Sequence, residues 1–561
     1  MNYKFDELKY DPTDYEALKK EIVELTDKAE KASSSTELDD VLRTYDAALE
    51  DVGYNYTLSY IHASIDSSSS FWQEALQKES EGNAMLDTTP LLKAILDNKY
   101  YPTLVEKYGP VLTDKLQKSI STGSKAQKER AEEEKLVAEY QREKAMTRIQ
   151  YEGEEMSEGQ MGPLFTDPDR NKRVKARKAV AKAFLDKKEA LGGMLEKMVA
   201  LRDKIAKENG FSNYLEYMDI NYSRLGYGEK EMDAFVEDIK KYVVPVLSDI
   251  TEETKNRLGL KEMTSIDFGL MFTDGNAKPA GGADVLKDAA MKMYRDLTPE
   301  MADFFEGMVE TESINVDSSP NKVSGMGFCT DLKRGMYPFV FGNLDGTDWD
   351  VAVFTHEVGH AWQSYIADKH LDLVMLREMP LDAVEIPSKT MELFSYPYAE
   401  DFFGKDADKF RFSHFREAVK SMVAYTSVHE LNTWIYTHVG ASFDEINEKW
   451  IEIQSEYYPN VSDGEMEEDN KNGAGLLRNM GVFMFPRYLI SYVFSELCAV
   501  DLFMEYRKDK NKALESYNAL CSVGGSKSYP EILASAGLEP SYKEGRVKEV
   551  MEKVKEYLKN N

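Results

Sequence analysis

The stretch Thr355-His356-Glu357-Val358-Gly359-His360 places two histidines four residues apart, with a glutamate directly after the first. Apolar residues around it recur at helical spacing, so the stretch is predicted to be a helix. Side chains four residues apart lie one above the other on a helix face, so both imidazoles can reach one zinc ion while Glu357 faces the same site. The pattern predicts the chemistry of a zinc hydrolase.

The residues flanking this stretch predict a buried helix. Thr347 and Asp350 have the spacing of a capping box, which would start the helix about two turns before His356. Apolar residues then occur on more than one face, namely Val351, Phe354, Val358, Ala361, Trp362 and Tyr365. This distribution is typical of a helix that a core holds rigidly, so a preorganised site is expected.

A catalytic zinc site needs a third protein ligand and leaves a fourth position for water. A metzincin would place a histidine ten residues after the first one, but Ile366 stands there. The candidates are the downstream carboxylates Glu378, Glu385 and Glu392. The last two are seven residues apart in a predicted helix whose first turn tolerates Pro387, so they share a face. One could bind the metal while the other hydrogen-bonds a ligand histidine.

With these residues the sequence resembles the thimet oligopeptidase and oligoendopeptidase F group of zinc metallopeptidases. In that family, His-Glu-x-Gly-His is followed after 25 residues by a ligand glutamate in a Glu-x-x-Ser context, which Glu385 and Ser388 match here. Further segments resemble the family, its oligoendopeptidase F branch above all: 167–170, 210–214, 322–329, 337–343 and 524–526. The resemblance implies one Zn²⁺ bound by His356, His360 and Glu385, with Glu357 as the general base.

The resemblance also implies a fold and a reaction. The expected fold is mainly α, a glutamate-type zincin with two helical lobes around a deep substrate channel and one small β-sheet near the zinc helix. The expected domains are an N-terminal helical lobe, 1–200, and a catalytic metallopeptidase domain, 201–561. A deep channel would admit short unfolded peptides and exclude folded proteins. The implied activity is therefore that of an oligoendopeptidase, which hydrolyses internal peptide bonds through a zinc-activated water.

The segment 480–496 departs from the family pattern. The family places a histidine and two tyrosines there to stabilise the tetrahedral intermediate. Tyr492 matches the second tyrosine, whereas Phe485 stands in the place of the first and no histidine is near. Arg487 and Tyr488 are the candidates to compensate, although aromatic residues at helical spacing are also typical of a core.

Two-residue alternation is clearest over 324–341, with a turn near Arg334-Gly335. Because Pro338 cannot donate to a strand ladder, this strand is predicted to lie at a sheet edge, where an extended peptide could add as a further strand. Gly327 and Phe339 in this segment are candidates either to contact the substrate or to support the metal ligands from behind. So are Arg487 and Tyr488 further along, while Glu392 is the candidate partner of a ligand histidine.

Composition excludes several partners. The chain of 561 residues has 100 acidic against 70 basic residues, a net charge of -30, so nucleic acid and anionic membranes are not expected to bind. Three widely spaced cysteines imply no disulfide framework. The start of the chain lacks a signal-peptide core and no long apolar stretch occurs, so a cytoplasmic location is expected. The oligomeric state is left open.

Two other functions remain compatible with the sequence. A zinc hydrolase of another acyl substrate, such as an esterase or deacylase, would use the same His-Glu-x-x-His motif. A helical protein that binds peptides with weakened catalysis would explain the missing histidine and Phe485.

Overall fold

The computed structural model describes residues 3–560 except 125, 324–326 and 345, and leaves out the side chains of 121–124 and 560. The first part of the chain is entirely helical: α1 (Tyr15–Lys31), α2 (Ser35–Ile65), α3 (Ser70–Ala84), α4 (Thr89–Asp97), α5 (Tyr101–Tyr108), α6 (Val111–Ser124) and α7 (Gln127–Ala145). Apolar side chains on one face of α1, α2, α4, α5 and α6 meet in a shared cluster, while charged residues cover the outside.

A two-stranded antiparallel hairpin follows, formed by β1 (Ile149–Tyr151) and β2 (Glu154–Met156). Helices then resume: α8 (Glu158–Met161), α9 (Arg170–Leu185), α10 (Lys188–Glu208), α11 (Tyr214–Asn221), α12 (Glu229–Asp238), α13 (Val244–Arg257), α14 (Ala283–Leu297) and α15 (Pro299–Glu310). One sheet was expected near the zinc helix, so this hairpin is an addition to it. The prediction of a mainly α fold is confirmed.

The second sheet has three strands: β3 (Ile314–Asn315), β4 (Phe328–Thr330) and β5 (Phe339–Phe341). Their order is β3-β5-β4, with β5 parallel to β3 and antiparallel to β4. The prediction that Pro338 marks an edge strand is wrong, because β5 is central and Pro338 lies just before it, where no ladder donor is needed. Among the described strands of this sheet, β3 and β4 form the two edges. The first residues of the predicted strand segment, 324–326, lie outside the described residues.

The C-terminal part of the chain is again helical: α16 (Trp349–His370), α17 (Leu381–Phe394), α18 (Ala399–Phe403), α19 (Ala407–Thr437), α20 (Phe443–Tyr457), α21 (Glu467–Lys471), α22 (Ala474–Leu477), α23 (Met480–Phe483), α24 (Ile490–Tyr506), α25 (Lys510–Ser522), α26 (Tyr529–Ser535) and α27 (Arg546–Asn560). Helix α17 packs between α16, which carries the histidine motif, and α24. This trio of helices positions the candidate site.

Helices α16 and α17 begin differently from what the sequence predicts. The N-cap of α16 is Asp348 and not Thr347, and the Asp350 carboxylate accepts a hydrogen bond from the Gly346 backbone N–H at 2.7 Å. Helix α17 starts at Leu381, so Pro387 lies inside it and not in its first turn. The helix persists through this proline because it is buried against neighbours on both sides, which outweighs one lost backbone bond.

Two large hydrophobic clusters form the core. One unites side chains between residues 15 and 116 and also takes in Leu373 and Leu376, which lie between α16 and α17. The other spans residues 140–557 and contains the helices around the histidine motif. The two leucines therefore tie the N-terminal helices to the catalytic region. The predicted domain boundary at residue 200 stays a prediction.

In the described part of the chain, no helix combines the length and apolar character of a membrane span. The three cysteines, Cys329, Cys498 and Cys521, are free.

Candidate active site

Two histidines from α16 and one glutamate from α17 form a compact cluster. The Nε2 atoms of His356 and His360 each lie 3.2 Å from the same oxygen, Oε2 of Glu385. The two imidazole planes cross at 81° with centroids 4.8 Å apart, so both rings face one point from different directions. One donor atom from each of the three side chains fits within 4.8 Å, a spacing that suits a shared metal ion.

The close approach of α16 and α17 depends on Gly359. A Cβ atom at this position would lie 2.7 Å from the Ser388 Cα and 2.8 Å from the Pro387 carbonyl oxygen, both of them backbone atoms of α17. Because backbone cannot move aside as a flexible side chain can, only glycine lets the two helices approach so closely. This contact brings Glu385 within reach of the histidines one helix away.

We expect the replacement of Gly359 by alanine to lower the free energy of unfolding by about 1–3 kcal/mol, because the added methyl group forces the two helices apart. Urea denaturation measures the loss. Gly193→Ala on α10 is the matched control, since a Cβ there would have no neighbour within 4 Å, and its stability should be unchanged or higher. Equal stability of both variants would mean that the helix contact is not tight.

A buried carboxylate behind the cluster orients His356. Glu392 accepts a hydrogen bond from His356 Nδ1 at 2.6 Å and another from His414 Nε2 at 2.7 Å. Lys389 adds a cation, with its Nζ 3.1 Å from Glu392 Oε1. When Nδ1 donates, the Nε2 of His356 is left to face Glu385, which is the arrangement a metal-binding imidazole requires. The two carboxylates of α17 thus lie on one side of the helix, Glu385 beside both histidines and Glu392 behind His356, as their seven-residue spacing predicts.

The sequence analysis did not identify the residues that surround Glu392. His414 on α19 receives a hydrogen bond on Nδ1 from the Tyr396 hydroxyl at 2.8 Å, and Lys389 Nζ also lies 3.7 Å from Glu496 Oε2. The available signals were that His414 is one of only seven histidines and that Lys389 shares a helix face with Glu385 and Glu392.

Glu357 lies beside the three-residue cluster and is itself buried. Burial raises the pKa of its carboxyl, while the nearby His356 and His360 lower it. A Cβ at Gly327 would lie 2.4 Å from Val353 Cγ1 and 3.6 Å from Glu357 Oε1, so this glycine lets the start of β4 approach the catalytic helix. A carboxyl with a raised pKa is suited to take and release a proton near neutral pH.

Two tyrosines from the segment 480–496 reach the same region. The rings of Tyr488 and Tyr492 are 5.8 Å apart, and Tyr425 of α19 lies 5.8 Å from Tyr492 on the other side. Burial and the charge of Glu385 raise the pKa of Tyr492, so its hydroxyl keeps its proton and can donate a hydrogen bond. Phe485, in contrast, is exposed, and its ring lies tilted against that of Tyr488, with centroids 5.7 Å apart.

Two of the predicted candidates lie away from the cluster. Arg487 is fully buried and pairs with Asp219 at 2.9 Å and with Glu229, so of its two predicted roles the structure favours support of the site over substrate contact. Phe339 is also fully buried and packs on Phe5, with centroids 4.2 Å apart. Both are removed from the site by long-range packing that residue type alone does not reveal.

Arg487 nevertheless helps to fix the tyrosine segment. Its carbonyl accepts a hydrogen bond from Arg224 Nη2 at 2.8 Å, and the same guanidinium bonds Ser491 Oγ at 3.1 Å and Asp382 of α17 at 3.0 Å. This buried network joins the start of α24 to α17, so it holds Tyr492 in place relative to Glu385.

Two cavities open onto the cluster. The smaller one, about 390 Å³, is lined by His356, Glu357 and Tyr492 together with Trp349. The larger one, about 940 Å³, is lined by His360 and Glu385, by Tyr488 and by residues of the N-terminal helix α6. Glu378, the third carboxylate considered as a ligand, lies on the wall of the larger cavity and outside the three-donor cluster. Together the cavities offer space on both sides of the candidate metal position.

The donor set fits a metal ion of zinc type. Two imidazole nitrogens and one carboxylate oxygen, with a fourth direction open to a cavity, are the ligands of catalytic zinc sites. A mainly helical fold with this donor set and an adjacent glutamate is the arrangement expected of a metallopeptidase. Family models for the peptidase M3 N-terminal domain and for peptidase family M3 match residues 5–123 and 296–552, and the chain belongs to peptidase family M3. It is a metalloendopeptidase, and the resemblance found in the sequence is confirmed.

Solved structures are similar along the whole chain. A candidate oligoendopeptidase F superposes with a TM-score of 0.90 at 28% identity and covers 100% of this chain and 99% of its own. PZ peptidase A, solved with an inhibitor, gives a TM-score of 0.90 at 27% identity, with 100% of this chain and 99% of its own covered. A candidate oligoendopeptidase F from Bacillus anthracis str. Ames gives 0.85 at 27%, covering 100% and 98%. Comparison with curated proteins gives no match.

Proposed function

We propose that this metalloendopeptidase is a zinc-dependent oligoendopeptidase that cleaves internal bonds of short unfolded peptides. His356, His360 and Glu385 would hold one Zn²⁺, and Glu357 would be the general base. The observation that carries the proposal is the three-donor cluster of two imidazoles and one carboxylate beside a buried glutamate. Structures described as oligoendopeptidase F support the same activity, since they align with this chain from end to end.

The proposed reaction assigns a proton path to Glu357. When bound, the zinc ion supplies Lewis acidity, which lowers the pKa of a water molecule and polarises the peptide carbonyl. Glu357 accepts the proton of the attacking water and then delivers it to the leaving amine, which balances the proton over the reaction. Glu392 keeps His356 in the tautomer that exposes Nε2, and the Ser388 hydroxyl, which donates to Glu385 Oε2 at 2.8 Å, orients the third donor.

Tyr492 would stabilise the negative charge that develops on the carbonyl oxygen. Its hydroxyl keeps its proton, and Tyr492 lines the cavity that His356 and Glu357 also line. A preorganised donor in a partly desolvated site is more effective than water at this task. With no histidine and no first tyrosine in the segment, Tyr488 is the second hydroxyl available on the larger-cavity side.

The shape of the site supports short peptides as substrates. The larger cavity lies between α6 of the N-terminal helices and α16 and α17, so a chain must enter between these parts of the protein. Cys329 and Thr330 of the edge strand β4 line it, which is a position where an extended peptide could pair as an additional strand. The net charge of -30 disfavours nucleic acid. Free cysteines are consistent with a cytoplasmic location.

The test is cleavage of a mixed peptide library, with products identified by mass spectrometry, before and after removal of metal by a chelator. Hydrolysis should stop without metal and return with one equivalent of zinc per chain. Internal cleavage of short peptides, with folded proteins left intact, is the expected product pattern. A matched set of ester substrates addresses the alternative of another acyl hydrolase. Peptide binding with full zinc occupancy but no turnover would contradict the proposal.

A further inference from the structure

The larger cavity is richer in basic side chains than the protein as a whole. Five basic side chains line it against four acidic ones, although acidic residues outnumber basic ones by 100 to 70 along the chain. The basic residues are Lys115, Lys118, Lys333, Lys527 and Arg377, and the acidic ones are Asp114, Asp331, Glu378 and Glu385. Because a bound divalent metal would offset Glu385, the balance for an incoming substrate is more positive still.

Some of these cations are already neutralised by the protein. Arg377 pairs with Glu50 at 3.5 Å and also with Asp368, and Lys333 Nζ lies 3.1 Å from Asp331 Oδ2. They belong to salt bridges that leave little charge for a ligand, so they are not candidates for binding one.

Lys115 and Lys527 differ from them. Lys115 Nζ donates to the backbone carbonyl of Glu378 at 3.0 Å, and Lys527 Nζ donates to the Ser535 hydroxyl at 2.8 Å. Both acceptors are neutral, and neither lysine makes a salt bridge to any described side chain. An ammonium group has three N–H donors, so each lysine retains donors for a ligand. Lys115 comes from the N-terminal helix α6 and Lys527 from the loop before α26, so they reach the cavity from two parts of the chain.

Burial makes the charge of Lys115 costly. Desolvation lowers the pKa of Lys115 to about 8 and also lowers the pKa of its neighbour Lys118, although the charge of Glu378 opposes both shifts. A cation that has lost water and is only partly compensated by Glu378 is destabilised, and a carboxylate that enters the cavity would relieve this. The cavity is therefore matched to a negatively charged group.

We propose that Lys115, assisted by Lys527, binds a carboxylate of the peptide substrate in the same cavity that His360 and Glu385 line. The inference rests on the proposed function, since it assumes a peptide held at the metal cluster. The carboxylate is either the free C-terminus of the peptide or an acidic side chain. If the C-terminus binds, the lysines fix the distance between the cleaved bond and the end of the peptide. Since an extended peptide spans about 3.3 Å per residue, this distance fixes the number of residues after the cleaved bond.

The experiment compares two pairs of zinc-loaded reactions. One pair is a peptide with a free C-terminal carboxylate and the same peptide with a C-terminal amide. The other pair is an amidated peptide with glutamate or glutamine on the C-terminal side of the cleaved bond. We expect kcat/KM to be about tenfold higher for the carboxylate member of one pair, since a charge-assisted hydrogen bond contributes on this scale. Which pair responds identifies the source of the carboxylate.

The lysine variants connect this preference to the cavity. In Lys115→Gln and Lys527→Gln, the ratio of kcat/KM for the carboxylate peptide to kcat/KM for its uncharged partner should fall toward one. The change should come from a lower kcat/KM for the carboxylate peptide, while that of the uncharged peptide stays the same. Lys115→Arg should restore most of the ratio because it keeps the charge. Loss of the Lys115 bond to Glu378 could weaken the contact between the N-terminal helices and the remainder of the protein. Lys527 is exposed, so Lys527→Gln should fold and provides an independent test. Lys93→Gln, at an exposed position of α4 away from the cavity, is the control.

Equal kcat/KM within both pairs, or a preference that survives in both lysine variants, would overturn the inference. Failure of the proposed function is distinct, because then neither member of any pair is cleaved. In that event, calorimetric binding of the acid and amide peptides to the wild-type protein and to Lys115→Gln still decides the question. A preference in binding that depends on Lys115 would support the carboxylate site, and equal binding would contradict it.

Discussion

The Glu357→Gln variant is expected to lose peptide hydrolysis by about 100 to 10,000 fold in kcat, because an amide cannot accept the proton of the attacking water. The glutamine side chain has nearly the size and shape of the glutamate side chain. It should therefore keep the buried position beside His356 and His360. Initial rates on a quenched oligopeptide, measured with the metal content of each sample, quantify the loss.

Metal content and stability separate a chemical effect from a structural one. Because Glu357 is not one of the three donors, the variant should bind one zinc per chain and unfold at a temperature near that of the wild type. Near wild-type turnover in fully metal-loaded Glu357→Gln would show that the proton passes through another group.

The second large effect is expected at Tyr492. Removing its hydroxyl in Tyr492→Phe should lower kcat by about 100 to 1,000 fold while KM changes little, because the hydrogen bond forms to the charge that develops in the transition state. The aromatic packing against Tyr425 and Tyr488 is retained in this variant. Steady-state kinetics of a single peptide, with kcat and KM determined separately, measure the effect.

Tyr425→Phe is the matched control for Tyr492→Phe, since Tyr425 lines the same smaller cavity but comes from α19. It should retain most of its activity. Tyr488→Phe asks whether the second hydroxyl of the segment shares the role. An equal loss in Tyr425→Phe, or a Tyr492→Phe enzyme that differs only in KM, would count against oxyanion stabilisation by Tyr492.

The three donor residues could be named before the structure because their information is local or motif-based. Two histidines four residues apart share a helix face whatever the rest of the fold does. The choice among Glu378, Glu385 and Glu392 needed the family resemblance, because the positions of the two helices relative to each other are not encoded in either one. The structure brings Glu385 to the histidines and places Glu392 behind His356, as the sequence predicted.

Other predictions failed or stayed open for reasons of long-range packing. Arg487 follows the aromatic run at a place where a substrate-binding cation was plausible, yet Asp219, far away in sequence, holds it in the interior. Pro338 was expected to mark an edge, but β3 pairs with the following residues from the other side. His414 was overlooked because its partner, Glu392, lies on another helix. No periodicity within a segment reveals such partners.

The sequence by itself determined the helical class, the His-Glu-x-x-His face of α16 and the shared face of the two α17 carboxylates, because each depends on residue spacing within one helix. Only the tertiary structure decided how closely α16 and α17 approach at Gly359, which tyrosines line the site, and that Lys115 of the N-terminal helices faces the same cavity as Glu385. These features depend on contacts between residues distant in the chain, and such contacts form only when the hydrophobic clusters pack.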